Sequence, residues 1–224
     1  MPDQRPHWNA HFAREQARYH DGEARLPGAA DPDARQRQLT RLGNAAGGAG
    51  LALLMAGRRE EAGSWFDRAA TRYRESFADA PPESWGRPIG AMKARILAGD
   101  WHGAADDARW ALATGAPEAG SPIGRYAAAL ACLVLDDDAA ARSHADALVE
   151  RDDFPGDVGD ALAAIAAHEG AAYASAVTTV TASFEARDEY LEDMPVADTA
   201  IVLQALAARR GLDVLLASPL LPPN

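Results

Sequence analysis

A single cysteine, Cys132, and a single lysine, Lys93, are all that this 224-residue chain has of those two types. One thiol rules out an internal disulfide and a cysteine-based zinc site. Set in the apolar run Y-A-A-A-L-A-C-L-V-L, it is expected to be buried and inert. The shortage of lysine goes with a formal net charge of −11 and a pI near 4.9. Phosphate binding needs clustered Lys and Arg, so nucleic acid is not an expected partner. Long apolar runs are missing too. No stretch reaches the ~20 apolar residues that span a bilayer, and M-P-D-Q-R-P-H-W-N has no apolar core of the signal-peptide kind. The expectation is a soluble, cytoplasmic protein with no membrane partner. Also missing are a nucleophile motif, a glycine-rich phosphate loop and a metal-spaced His/Glu pair. Asp and Glu are too abundant for any pair to stand out as acid and base. No catalytic residue, metal or cofactor is assigned, and an enzyme is not the expectation.

What is present in excess is alanine, 53 residues of it, with 21 Asp, 12 Glu and 21 Arg. Alanine is the strongest helix former, and its small side chain lets helices approach closely. Val and Ile are scarce before residue 165. The chain therefore reads as all-α. Excess Asp with almost no Lys resembles the cytoplasmic proteins of salt-accumulating halophilic archaea; a GC-rich genome gives a similar bias.

Glycine and proline divide the chain into helices. The first is expected over about 3–20, ended by Gly22. The next starts at Asp31-Pro32, an N-cap followed by proline at the first helical position, and stops at Gly57. Others are expected at 58–78, 86–98, 101–114, 122–135, 138–151, 156–168, 170–187 and 196–210. The tail after Gly211 has three prolines and is expected to be extended. G-R-P-I-G at 86–90 recurs as G-S-P-I-G at 120–124, each followed by a helix, a short turn and a second Ala-rich helix. A period near 34 with two helices per unit is the sign of a helical solenoid.

Gly50, Leu53, Gly57, Ala62, Phe66 and Ala69 fit one unit of a small-residue, turn and aromatic pattern. Gly99, Asp100, Trp101, Ala104, Ala108, Ala111 and Leu112 fit half of another, and Ala141, Ala145, Leu148, Tyr173, Ala176 and Val180 fit two more. This pattern, over about 43–187, resembles the tetratricopeptide repeat family. The resemblance implies antiparallel hairpins stacked as a short right-handed α-solenoid, drifting in period. It would form one domain over 1–224: N-terminal helix and loop 1–30, hairpins 31–187, capping helix and extended tail 188–224. Residues 198–222, D-T-A-I-V-L-Q-A-L-A-A-R-R-G-L-D-V-L-L-A-S-P-L-L-P, resemble the closing segment of the immunity protein 49 family. That resemblance implies a helical protein that neutralises a toxin by binding it.

In A-G-D-W-H-G-A-A-D-D-A-R-W-A-L, 98–112, the repeat makes Gly99-Asp100 a hairpin corner. Ala104, Ala108 and Ala111 become the packing seam, with His102, Asp106 and Asp107 directed to solvent. Asp136-Asp137-Asp138 and Asp152-Asp153 read as turns that cap the next helix. His7 and His11 share a helix face with Asp3, Glu15 and His20 nearby, but no third ligand lies at metal spacing. Trp85 and Arg87 are interface-type residues on a loop; burial of Trp85 between hairpins, with Arg87 pairing a carboxylate, is the equal alternative. The acidic segment R-D-E-Y-L-E-D-M-P, 187–195, reads as a binding loop or as a plain helix end. The candidate partner-binding set is Trp85, Arg87, Arg95, Arg125, Tyr126, Glu189, Tyr190, Glu192 and Asp193. The expected function is a non-catalytic interaction module with a protein or peptide partner, in its narrower form an immunity-like protein. The alternatives are a helical metal-dependent or small-molecule enzyme and a homo-oligomeric scaffold, such as a homodimer.

Overall fold

The computed structural model describes residues 5–223. Among them are ten α-helices and no strand. They are α1 (Arg5–Arg25), α2 (Pro32–Met55), α3 (Arg59–Phe77), α4 (Gly86–Ala98), α5 (Trp101–Ala113), α6 (Pro122–Val134), α7 (Asp138–Val149), α8 (Gly156–Ala166), α9 (Gly170–Glu185) and α10 (Asp198–Ala208). From α1 to α9 each helix packs mainly on its neighbours in sequence. The all-α expectation holds. No helix among the described residues is long and apolar enough to cross a membrane.

The even-numbered helices end alike. A left-handed residue follows each: Gly57 (φ +76°), Gly99 (+74°), Asp136 (+60°), His168 (+57°) and Gly211 (+70°). The next N–H donates five positions back, Arg58 to Leu53, Asp100 to Arg95, Asp137 to Cys132, Glu169 to Ala164 and Leu212 to Ala207, at 2.9–3.0 Å. This closure satisfies the last carbonyls of a helix. After the first four corners a new helix begins at once, so α2–α3, α4–α5, α6–α7 and α8–α9 are tight hairpins. The Asp100 carboxylate accepts from the Gly103 N–H at 2.9 Å, and that of Asp137 from the Ala140 N–H at 3.1 Å. The Asp136–138 triplet is thus a turn and cap. Asp152-Asp153 is not: Asp153 takes Arg151 at 2.7 Å, and Pro155 precedes α8.

Alanine forms the seams between hairpins. Ala104, Ala108 and Ala111 on α5, Ala127, Ala128 and Ala131 on α6, and Ala141 and Ala145 on α7 are at most 1% exposed. Glycines serve where helices come closer still. A Cβ at Gly50 would lie 2.6 Å from the Phe66 ring, so this glycine lets α2 and α3 close on each other. Gly22 does not end α1, which runs on to Arg25. A Cβ there would lie 2.8 Å from Leu42, so this glycine permits close packing on α2. Asp107 also departs from expectation: it is buried, not solvent-facing. Its carboxylate takes Arg74 at 2.7 Å and lies 3.6 Å from Arg95, and burial raises its pKa against the pull of both arginines.

Helix α10 leaves the sequential order. It packs on α4, α8 and α9. At its end Arg209 donates to the Val134 carbonyl at 3.2 Å and Arg210 to the Leu133 carbonyl at 2.9 Å, while their charges meet Asp136 and Asp138. Basic side chains thus finish the negatively polarised end of α6. The tail after Gly211 alternates, with Leu212, Val214 and Leu216 turned toward the core and Leu215 exposed.

Candidate functional site

The packed helices enclose a cleft of about 670 Å³. Helices α2, α4, α6 and α8 contribute to its walls, α3 adds Phe66, Ala69 and Tyr73, and neither α5 nor α7 contributes. On α4 the stripe Gly86, Arg87, Ile89, Gly90, Lys93, Ala94 and Leu97 faces it, at the three- and four-residue spacing of one helical face. Phe154, Val158 and Phe184 close the far end.

The remaining wall is the strap, residues 187–197, which joins α9 to α10. Met194 and Val196 are buried with Trp8, Ala52 and Met55, which pins the strap to α1 and α2. Glu192 fixes it by polar contacts. Its carboxylate accepts from Asn44 at 3.0 Å and pairs with Arg18, and its carbonyl accepts from Arg14 at 2.7 Å. Burial works against the Glu192 anion, but Asn44, Arg18 and Arg14 together hold its pKa below the usual value. Glu192 and Asp193 both have positive φ, +55° and +52°. Behind them Glu15 is fully buried between Arg14 (2.8 Å) and Arg18 (2.9 Å). A second cleft of about 550 Å³ lies on another flank of α10, beside Trp101 and Arg209.

The chain's one lysine lines the larger cleft. Lys93 is 15% exposed; its ammonium pairs with Asp198 at 2.5 Å and donates to the Thr199 hydroxyl at 3.1 Å. Burial lowers its pKa, but the charge and hydrogen bond of Asp198, together with Tyr126, outweigh this, and the net shift is upward. Lys93 is therefore a cation at neutral pH, not a free amine nucleophile. Tyr73 donates to Asn44 at 2.9 Å, so one chain of contacts runs Tyr73–Asn44–Glu192–Arg18. Burial pushes the Tyr73 and Tyr126 hydroxyls upward in pKa.

The structure brings some of the sequence candidates together and disperses others. Arg87, Tyr126, Tyr190 and Glu192 line the cleft. Trp85 is buried, donating its indole N–H to Glu83 at 2.8 Å, and Arg87 pairs with no carboxylate among the described residues. Arg95 sits outside the cleft in a knot with Asp67, Asp100 and Asp107. Arg125 is outside as well, and Glu189 and Asp193 are exposed. His102 is 92% exposed. His7 and His11 place their Nε2 atoms 3.1 Å apart. Asp3 lies outside the described residues, among which no group of three metal-type ligands occurs. Lys93, Asn44, Tyr73 and Asp198 were missing from the candidate set. The signal for Lys93 was in view: a lone lysine among 21 arginines, on the apolar face of its helix. Comparison with protein-family models, with curated proteins and with solved structures gives no match.

Proposed function

We propose that the protein is a non-catalytic interaction module, a right-handed array of tetratricopeptide-like hairpins whose inner helices α2, α4, α6 and α8 hold a segment of a protein partner. The observation that carries this reading is the cleft, because α2, α4, α6 and α8 all contribute to it, joined by α3 and by Phe184 of α9, while α5 and α7 do not. Its size falls within the ~300–1,000 Å³ typical of ligand sites, and its walls are mostly apolar with a few convergent polar groups. The repeating left-handed corners after even helices support the hairpin array.

The test is affinity capture from native lysate at high salt with the wild-type chain and Ile123→Trp. Ile123 is 43% exposed and lines the cleft, so the indole fills the cleft without disturbing the core. The expected result is a partner retained by the wild type and lost from the variant. A partner held equally by both, or none held by the wild type, counts against the reading. The narrower, toxin-neutralising form rests on the resemblance of 198–222, the segment that holds α10, the Gly211 turn and the tail. It requires the captured partner to be a toxin whose activity falls at one-to-one stoichiometry.

A further inference from the structure

The cleft has a charge balance opposite to that of the whole molecule. The chain carries a net −11, yet the charged side chains lining the cleft are Arg87, Lys93, Arg187, Glu192 and Asp198. Both acids are engaged. Asp198 is paired with Lys93, and Glu192 with Arg18, which lies outside the cleft lining. Two arginines remain. Arg87 donates only to neutral partners, Nε to the Ser76 hydroxyl at 3.1 Å and Nη2 to the Gln36 side-chain carbonyl. Its Nη1 group has no partner among the described residues. Arg187 lies over the Phe184 ring at 3.7 Å and makes no ion pair among those residues. The Arg87 guanidinium, held by neutral groups in a partly desolvated wall, is a ready receptor for a carboxylate, and the exposed Arg187 adds a second unpaired cation to the lining. Burial already lowers the Arg87 pKa, a cost that an incoming anion would offset.

Shape decides what carries that carboxylate. The cleft crosses α2, α4, α6 and α8, three steps of roughly 8–10 Å each. An extended chain advances ~3.3 Å per residue, so about seven to nine residues cover that span and a five-residue probe covers a little over half of it. Tyr73, Tyr126, Phe154 and Phe184 offer aromatic surface along the way. We propose that the cleft takes an extended, largely apolar peptide segment of the partner whose carboxylate is received by Arg87 and Arg187. This inference rests on the cleft reading above and sharpens its ligand.

The test is a calorimetric titration of the full chain with two probes, acetyl-Phe-Leu-Asp-Leu-Phe-amide and its isosteric Asn counterpart. The wild type should bind the Asp peptide about tenfold more tightly, the scale of one charge-assisted hydrogen bond. Arg87→Gln and Arg187→Gln should each shrink that preference, and the double variant should bring the ratio near one with the Asn peptide unaffected. Arg87 also holds the buried Gln36. If Arg87→Gln fails to fold, Arg187→Gln decides, because that side chain is exposed and without a hydrogen bond among the described residues. Equal binding of the two peptides to the wild type overturns the inference and leaves the cleft reading intact. So does a preference unchanged by Arg187→Gln. Binding of neither peptide at millimolar concentration also overturns it, while the capture experiment still judges the cleft on its own.

Discussion

The hairpin corners and the strap contain the same unusual backbone conformation and hold it by different means. At Gly57, Gly99, Asp136, His168 and Gly211 the left-handed turn is closed by a hydrogen bond five residues long. At Glu192 and Asp193 short backbone bonds (Asp193 N–H to Tyr190 at 3.0 Å, Met194 N–H to Leu191 at 3.1 Å) are joined by contacts from Arg14, Arg18 and Asn44, nearly 150 residues or more away in sequence. The corners belong to a frame that each hairpin builds for itself. The strap belongs to the finished molecule, because its anchors exist only once α1 and α2 are in place. A cleft with one frame wall and one strap wall therefore has a fixed side and a side that opens at lower free energy.

The frame should be the more sensitive to damage. Leu130 on α6 is 0% exposed, and Leu130→Ala is expected to cost about 2–5 kcal/mol, read from the urea midpoint. Next comes the contact that ties α10 to the frame. Asp198→Asn leaves the Lys93 ammonium without its counter-charge, at an expected cost of about 1–3 kcal/mol. The pH dependence gives the sign. The folded pKa of Lys93 lies above its ordinary 10.5, with Asp198 the main cause of the rise. Its contribution is thus fully present below about pH 10 and is lost as pH climbs through the raised folded value. The stability gap between wild type and Asp198→Asn should be constant at neutral pH and narrow in strong alkali, which urea melts from pH 7 to 12 would show. Tyr73 and Tyr126 also feel the Asp198 charge, which raises their pKa, so tyrosine ionisation is followed separately by ultraviolet absorbance in both proteins.

Smaller effects separate corner from strap directly. Gly99→Ala forces a Cβ into a left-handed turn and should cost about 1 kcal/mol of global stability. Glu192→Gln weakens the strap's pairing with Arg18 and should change the global midpoint by no more than about 0.5 kcal/mol. Its mark should be local: limited proteolysis within 187–193 several-fold faster, with cutting elsewhere unchanged. If Glu192→Gln lowers the midpoint as far as Gly99→Ala does, the strap belongs to the frame.

This contrast also explains which parts were legible in the sequence. The corners were, because Gly57, Gly99 and Gly211 announce left-handed turns and Asp137 announces a cap. The alanine seams were, because Ala104, Ala108 and Ala111 repeat at helical spacing. Gly22 misled, since a glycine needed for approach to Leu42 looks the same as a helix stop. Asp107 misled for a related reason. Its helix position placed it off the alanine seam, and only Arg74, arriving from α3, makes its burial tolerable. The cleft was half legible. Arg87, Tyr126, Tyr190 and Glu192 came from composition and loop position, whereas Asn44, Tyr73, Lys93 and Asp198 meet from separate helices that no local pattern connects.

Hydrogen exchange of the wild-type chain, resolved to short segments, tests the central claim most directly. The amides of 188–194 should open at a free energy about 3 kcal/mol below those of α6, which is on the order of a hundredfold faster exchange. Addition of the acetyl-Phe-Leu-Asp-Leu-Phe-amide probe should slow exchange in 188–194 and along the cleft face of α4, with the α5 and α7 rates unchanged. Protection of 188–194 equal to that of α6, or slowing spread evenly over all helices, would contradict an account in which a separately held strap borders the binding cleft.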